Sequence, residues 1–240
     1  MLKISKISLI DPLSPEWRKE RMGRFTASEI GKLMSAKSHL GEFSKGGLTY
    51  IQGVAGEIIT KKEAKAEFFN DNVNHGNATE PEAIRHFEKK MGLAVLRDSA
   101  NGDTHRMIIE DQYSAATPDG LVALAPLDRL FSEDGESMNV ASLETKCPPV
   151  PHRFMKLYAC LTPLDLEKAE KLYFWQVIGQ MEFCGALRGY FAAYNPDYPE
   201  DQRMRVILFE KMKLLDHFRK MNMTLFHAKR KLEEILATFN

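Results

Sequence analysis

The sequence predicts an α/β fold, a mixed central sheet flanked by helices. Three observations lead there. Helix-period segments with recognisable caps fill about the first 90 positions. The middle of the chain then switches to short runs that alternate every second residue and are divided by turn residues. A helical segment, two further strand-like runs and a long amphipathic segment close the chain, the order expected of one sheet covered by helices. With 240 residues and no Pro, Gly or Ser-rich linker, one domain is expected over 1–240. Its parts are a helical region at about 14–92, a sheet core at about 93–210 and a closing helix at about 213–238.

Taken in order, "SPEWRKERMG" predicts a short helix with Ser14 as N-cap, Pro15 at the first helical position and a stop at Gly23. "TASEIGKLM" predicts a second, capped by Thr26 with Glu29 as the reciprocal partner. "LGEFSKGGL" reads as a loop and "TYIQGVAGEIITKKEAKAEFF" as a longer helix. "NHGNATEPEAIRHFEKKMG" predicts a helix from near Asn77 to Gly92. "LAVLR", "RMIIE", "YSAATPDGLVAL" and "VASLETK" predict strands, with "APLDRLFSEDGESMN" as a polar hairpin loop. One helix is expected in "LDLEKAEKLYFWQVIGQMEFCG", strands in "RGYFAAYNP" and "MRVILFE", and the last helix follows.

Composition excludes several classes. Hydrophobic residues make up 44% and charged residues 28%, and the longest apolar runs are far too short to cross a bilayer. The opening "MLKISKISLI" interrupts its apolar residues with Lys and Ser, unlike a signal-peptide core. A cytoplasmic protein with no membrane association is therefore expected. Cys147, Cys160 and Cys184 show no C-x-x-C spacing and cannot all pair, so reduced, part-buried thiols are expected. Thirty-three basic residues balance thirty-three acidic ones, so any nucleic-acid surface must come from segregated charge. No H-x-x-x-H pair and no glycine-rich phosphate loop is present. The aromatic run at Tyr173, Phe174 and Trp175 reads as helix core, and Trp17 as an anchor for its short helix.

Individually, the charged residues that stand out have ordinary explanations. Glu80 lies three positions after Asn77, where it can complete a helix cap, and Pro81 is tolerated in a first turn. Asp119 occupies a common Pro-Asp-Gly turn. Glu144 and Lys146 alternate on one strand face, as a solvated ladder does while Leu143 and Thr145 face the core. Their joint order carries more: an acid, then P-D-G, a short spacer, then E-x-K among apolar neighbours. An acid leaving one strand and a Glu on its hairpin partner can converge, and oxygen ligands so placed suit a hard cation such as Mg²⁺. Two carboxylates about 4 Å apart repel by on the order of 4 kcal/mol at an effective dielectric near 20, so converging acids either protonate or bind a cation. Such a centre serves phosphodiester cleavage, in which a lysine orients water and offsets developing negative charge.

The order of these motifs resembles the YqaJ-type viral recombinase, or phage lambda exonuclease, family of restriction-endonuclease-like nucleases. The resemblance runs from "EWRKERMGRFTASEIGKLM" through "HGNATEPEAIRHFE", "ATPDGLV", "LETKCP" and "FWQVIGQM" to "GYFAAYNPD", over about residues 16–197. The W-x-x-x-R-x-G-x-x-T-A-S-E block is its most specific part. It implies a restriction-endonuclease-like fold and metal ligation by Glu80, Asp119, Glu144 and the carbonyl of Thr145, with two Mg²⁺ ions, or Mn²⁺, per site. It further implies Lys146 as the catalytic lysine, Gln176 at the nucleophile or scissile phosphate, and Arg21, Ser28 and Thr117 around the 5′-phosphate of a DNA end. Thr117 stands where a Ser is usual and keeps the hydroxyl. Ile109 stands where the family carries an acid; Glu110 and Asp111 adjoin it and receive no role. The activity implied is 5′-to-3′ degradation of one strand of linear duplex DNA, leaving 3′ overhangs for recombination, by a homotrimer working with a single-strand annealing protein. A site-cutting endonuclease and a catalytically silent DNA-binding scaffold are the alternatives.

Overall fold

The computed structural model describes residues 2–3, 7–8, 14–63, 71–97, 106–126, 129–130 and 137–239. The end of the second long helical segment and most of the polar loop expected between the sheet strands lie outside these residues, as does the side chain of Asn77.

Strands β1 (Leu2–Lys3) and β2 (Ile7–Ser8) precede α1 (Pro15–Arg21), where Ser14 accepts the Trp17 N–H at 3.1 Å and Pro15 opens the helix as expected. Gly23 ends it with φ +75°, a left-handed conformation that suits glycine. Next the chain departs from expectation. Phe25–Thr26 forms β3 instead of a helix cap, and only a 3-10 turn, Ile30–Lys32, follows without a side-chain cap. Tertiary pairing overrides the capping signature: β3 lies parallel to β5, with Thr26 opposite Ala115. Helix α2 (Lys45–Thr60) comes next, then α3 (Asp71–Met91), which starts earlier than the Asn77 signal indicates and carries Pro81 in its interior. Glu80 is therefore not a first-turn capping residue.

Strands β4 (Met107–Asp111), β5 (Ser114–Ala116), β6 (Gly120–Ala123), β7 (Ser137–Met138) and β8 (Val140–Lys146) follow. "LAVLR" contributes only a bridge between Val95 and Val122. The expected single helix after β8 is three. Helix α4 (Pro151–Tyr158) arises in a proline-rich stretch with no expected element, α5 (Pro163–Ala169) opens on a Thr162–Asp165 capping box, and α6 (Lys171–Phe183) begins after a break at Glu170. Strands β9 (Arg188–Tyr194) and β10 (Met204–Glu210) and helix α7 (Leu215–Ala237) complete the chain.

The fold class is as expected, a mixed α/β arrangement, but the strands divide into two four-stranded sheets, β10-β9-β8-β6 and β2-β4-β5-β3, with a β1-β7 pair. Thr117–Pro118–Asp119 is the joint between them. In the first sheet β8 runs antiparallel to β6 and parallel to β9. Ala83, Ile84 and Phe87 of α3 pack with Leu143 and Tyr190 on one face. Phe174, Val177, Ile178 and Met181 of α6 pack with Phe191 and Val140 on the other. Phe174 and Trp175 are core as expected, Trp17 packs on Met107, Ile109 and Ala115, and the three cysteines are free and buried. Among the described residues no helix is long and apolar enough to cross a membrane.

Gly120, first residue of β6, fixes the joint. A Cβ there would sit 2.5 Å from Cγ1 of Val95, a stiff β-branched neighbour. Gly120→Ala is expected to destabilise the protein by about 1–3 kcal/mol, read as a lowered urea midpoint; an unchanged midpoint would show that the Val95 bridge is not a tight contact.

Candidate active site

Strand periodicity places Glu144 and Lys146 on the face of β8 that α6 covers. The Lys146 ammonium donates to Glu144 Oε1. From the helix, Gln176 Nε2 reaches the same oxygen at 2.6 Å and Gln180 Nε2 reaches Oε2 at 2.5 Å. Positions 176 and 180 stand one helical turn apart, so both carboxamides point at one carboxylate. Glu144 is 1% exposed, not the solvated ladder residue of the isolated reading. Lys146 Nζ also lies 5.2 Å from the centroid of the Tyr173 ring, whose face attracts a cation.

Asp119 stands at the mouth of the joint, beside the last residues of β8. Its Oδ2 accepts the Thr145 N–H at 2.6 Å and the Thr145 hydroxyl at 2.8 Å. Thr145 thus meets Asp119 through its N–H and side chain. Glu80 arrives from α3 on the opposite face of the sheet and is felt as charge. Burial, then repulsion from Glu80, pushes the Asp119 carboxyl up to about 6. Burial, then Asp119, pushes Glu144 up to about 7. Burial opposes the Lys146 charge, but Glu144 and Asp119 outweigh it and hold the ammonium above the ordinary lysine range. Burial, then Glu80 and Asp119, pushes the neighbouring Cys147 thiol up to about 12, so it stays neutral.

Gln180 is the residue that sequence reasoning missed. Its side chain is buried, and its Oε1 accepts no hydrogen bond among the described residues. An unsatisfied buried acceptor costs about 1–3 kcal/mol, which is not recovered inside the protein. The Q-x-x-x-Q spacing in "FWQVIGQM" was the available signal.

The donor set suits a hard divalent cation. Asp119 and Glu144 offer carboxylate oxygens, the charge of Asp119 weighs on Glu144, and among the described residues Glu144 Oε2 has only the one donor described above. Among the described residues, no three Asp, Glu, His or Cys side chains are gathered closely enough to hold an ion by themselves. Mg²⁺ is usually held by one or two carboxylates with water and substrate phosphate completing its shell, and Asp119 with Glu144 meets that requirement.

A second cluster forms at the end of α1. Arg21 Nη2 lies 3.2 Å from Thr26 Oγ1 and 3.3 Å from Ser28 Oγ, and the two hydroxyls are 3.2 Å apart. The guanidinium also covers the Trp17 ring at 5.3 Å from its centroid. Thr26 joins through its place in β3, not as a cap, so no helix terminus aids the cluster as its sequence suggested. Thr117 lies in the joint just past β5, the strand with which β3 pairs.

Ile109 is buried with Met107 and Ala115, away from the carboxylates. Asp111 accepts from Lys229 of α7 at 2.5 Å and from the Tyr113 N–H at 2.8 Å. Burial raises the Glu110 carboxyl against the pull of Lys229. The Asp111–Lys229 ion pair ties β4 to the last helix.

A family model, the YqaJ-like viral recombinase domain, matches residues 16–186. No curated protein sequence matches the chain. Among solved structures, the alkaline exonuclease LHK-Exo from Laribacter hongkongensis is similar, with 18% identity, a TM-score of 0.63 and coverage of 94% of this chain and 97% of that one. Its complex with dAMP gives 19% identity and 0.65 over the same shares. A phage-related exonuclease from Haemophilus somnus gives 15% identity and 0.62, covering 90% of this chain and 96% of that one. At these identities the likeness establishes the fold.

The raised Glu144 value has a definite consequence for stability. The folded protein keeps this proton to higher pH than the unfolded chain, so folding is penalised as pH rises from the ordinary value near 4.5 to about 7. In chelator, the stability gained by Glu144→Gln is expected to be larger at pH 8 than at pH 4.5 by about 2–3 kcal/mol, read from urea unfolding at both values. A gain that does not change with pH would contradict the burial of an ionised Glu144.

Proposed function

The chain belongs to the YqaJ-like viral recombinase domain family, and from that premise we propose that it is a metal-dependent DNA exonuclease acting on linear duplex from its ends. The observation that carries this reading is the pairing of an E-x-K strand with the Asp119 joint: the buried Glu144 carboxylate, the half-buried Asp119 carboxylate and a charged lysine meet at one sheet end. Asp119 and Glu144, with Glu80 from α3 and the Thr145 carbonyl, are assigned as the holders of Mg²⁺ or Mn²⁺. Two such ions, when bound, supply a strong nucleophile from water at neutral pH and positive charge at the leaving oxygen. Lys146, held charged between the acids, offsets charge developing on the phosphate. Gln176 keeps Glu144 oriented beneath it and lies where the scissile phosphate is assigned.

The same membership supports finer assignments, which belong to this proposal. They are 5′-to-3′ polarity, 3′ single-stranded products for phage-type recombination, a homotrimer around the DNA, and a single-strand annealing protein as partner. The equal counts of acidic and basic residues agree with a basic DNA-facing surface balanced elsewhere.

Digestion of linear and covalently closed circular duplex, with Mg²⁺ or with chelator, separates the readings. Progressive release of mononucleotides from the linear form alone, and only with Mg²⁺, is expected. Cutting of the circle would indicate an endonuclease, and no product with Mg²⁺ would indicate a silent scaffold. Lys146→Ala is expected to lower the rate at least about 100-fold, the scale of losing one preorganised electrostatic contact; activity within a few-fold of wild type would remove the lysine from the chemistry.

End recognition is assigned to Arg21, Ser28 and Thr117, and Thr26 joins this assignment because its hydroxyl meets Arg21 and Ser28. A terminal phosphate carries more charge than a diester and suits a guanidinium beside hydroxyls. Linear duplex with a 5′-phosphate is expected to be digested faster than the 5′-hydroxyl form, and Arg21→Ala to erase about 10- to 100-fold of that difference. Equal wild-type rates on both ends would dissolve the pocket and leave the metal site standing.

A further inference from the structure

We propose that Gln180 is a positioning residue that sets the orientation of the Glu144 carboxylate for the divalent cation. The inference rests on the metal-dependent reading above and concerns a residue outside the ligand and catalytic assignments made there. Glu144 Oε1 already accepts two donors, Lys146 Nζ and Gln176 Nε2. A carboxylate oxygen has about two in-plane acceptor positions, so Oε1 is filled. Among the described residues Oε2 accepts Gln180 Nε2 alone. Gln180 thereby occupies one position on that oxygen and leaves the other as the place where a cation can be met.

The residue type matters. A carboxamide donates to the carboxylate without cancelling its charge, whereas a second lysine or arginine would compete with the cation for it. The amide cannot be reversed, because its oxygen would then face a carboxylate oxygen. Its surroundings hold it: Gln180 is 1% exposed, and its neighbours Gly179 and Met181 pack on Ala27 and Gly189. Gly179 lets the α6 backbone approach Ala27, where a Cβ would come within 3.3 Å of that residue. The buried Oε1 of Gln180, unpaired among the described residues, is a further acceptor directed into this interior.

If Gln180 were released, the Lys146 ion pair and Gln176 would alone govern Glu144, and both hold the same oxygen. The second oxygen would then be free to swing. Partners of this kind in metal sites typically change metal affinity by about 10- to 100-fold when lost.

The test is direct Mn²⁺ binding to the DNA-free protein, measured by the paramagnetic resonance of free Mn²⁺, for wild type and Gln180→Met. Methionine has a similar shape and removes the donor. Mn²⁺ binding is expected to weaken at least about 10-fold, with the loss in digestion falling on the metal concentration for half-maximal rate more than on kcat. A lowered melting temperature with wild-type Mn²⁺ affinity would mark Gln180 as packing only and overturn the proposal. Should Gln180→Met fail to fold, Gln180→Asn stops one methylene short of Oε2 and is read the same way: weakened binding supports the role and unchanged binding overturns it. Failure of wild type to digest linear duplex, with Mn²⁺ bound and weakened in the variant, would sink the nuclease reading and leave the positioning role intact.

Discussion

Burial of the Glu144 carboxylate beneath α6 is the constraint on which the rest of the site depends. An ion removed from water costs several kcal/mol after relaxation. Three donors, each worth about 1.5–3 kcal/mol to a charged acceptor, can offset that cost. They come from one position two residues along the strand and two positions one turn apart on the helix. The register of α6 against β8 is thereby fixed by polar contacts as well as by Val177, Ile178 and Met181 in the core. An opposing demand stays unmet, since Asp119 still pushes Glu144 up and Glu80 pushes Asp119 up. The protein holds the pair in place through Thr145 and the Gln residues, and the remaining repulsion is what the divalent cation of the proposed function would relieve.

The joint at Thr117–Asp119 links this centre to the second sheet. Pro118 cannot continue a ladder, so the chain leaves one sheet after Ala116 and enters the other at Gly120. Asp119 falls between the two and faces the end of β8. The same second sheet holds β3, whose Thr26 meets Arg21 and Ser28. The cluster proposed to take the phosphate of a DNA end and the carboxylates proposed to serve cleavage are thus tied to the two ends of one short stretch of backbone. Spacing between them is fixed by strand pairing and not by a loop.

Much of this was legible in the sequence, for local reasons. Ser14 and Pro15 signal α1 because capping is a short-range interaction, and "VASLETK" signals β8 through its period. The pairing of Glu144 with Lys146 follows from alternation alone. Other features depend on partners far along the chain. The Thr26 to Glu29 signature has the composition of a cap, but β5 claims Thr26 for a sheet. The start of α3 before Asn77 defeats the usual expectation for Pro81, because the helix continues on both sides of it. Nothing at Glu170 marks the break between α5 and α6, and α4 hides among prolines. Gln180 shows in the sequence only as the second Gln of a Q-x-x-x-Q spacing, and a glutamine inside an apolar helix has no fixed meaning until its carboxylate partner, 36 residues earlier, is known.

The central claim is that Asp119 and Glu144 together form the cation centre at which DNA is hydrolysed. Anomalous diffraction from crystals soaked in Mn²⁺ tests it most directly. A peak in contact with carboxylate oxygens of both Asp119 and Glu144, weakened or lost in Glu144→Gln crystals, is the result predicted. A fully occupied Mn²⁺ site elsewhere in the molecule, with no peak beside these two carboxylates, would contradict it.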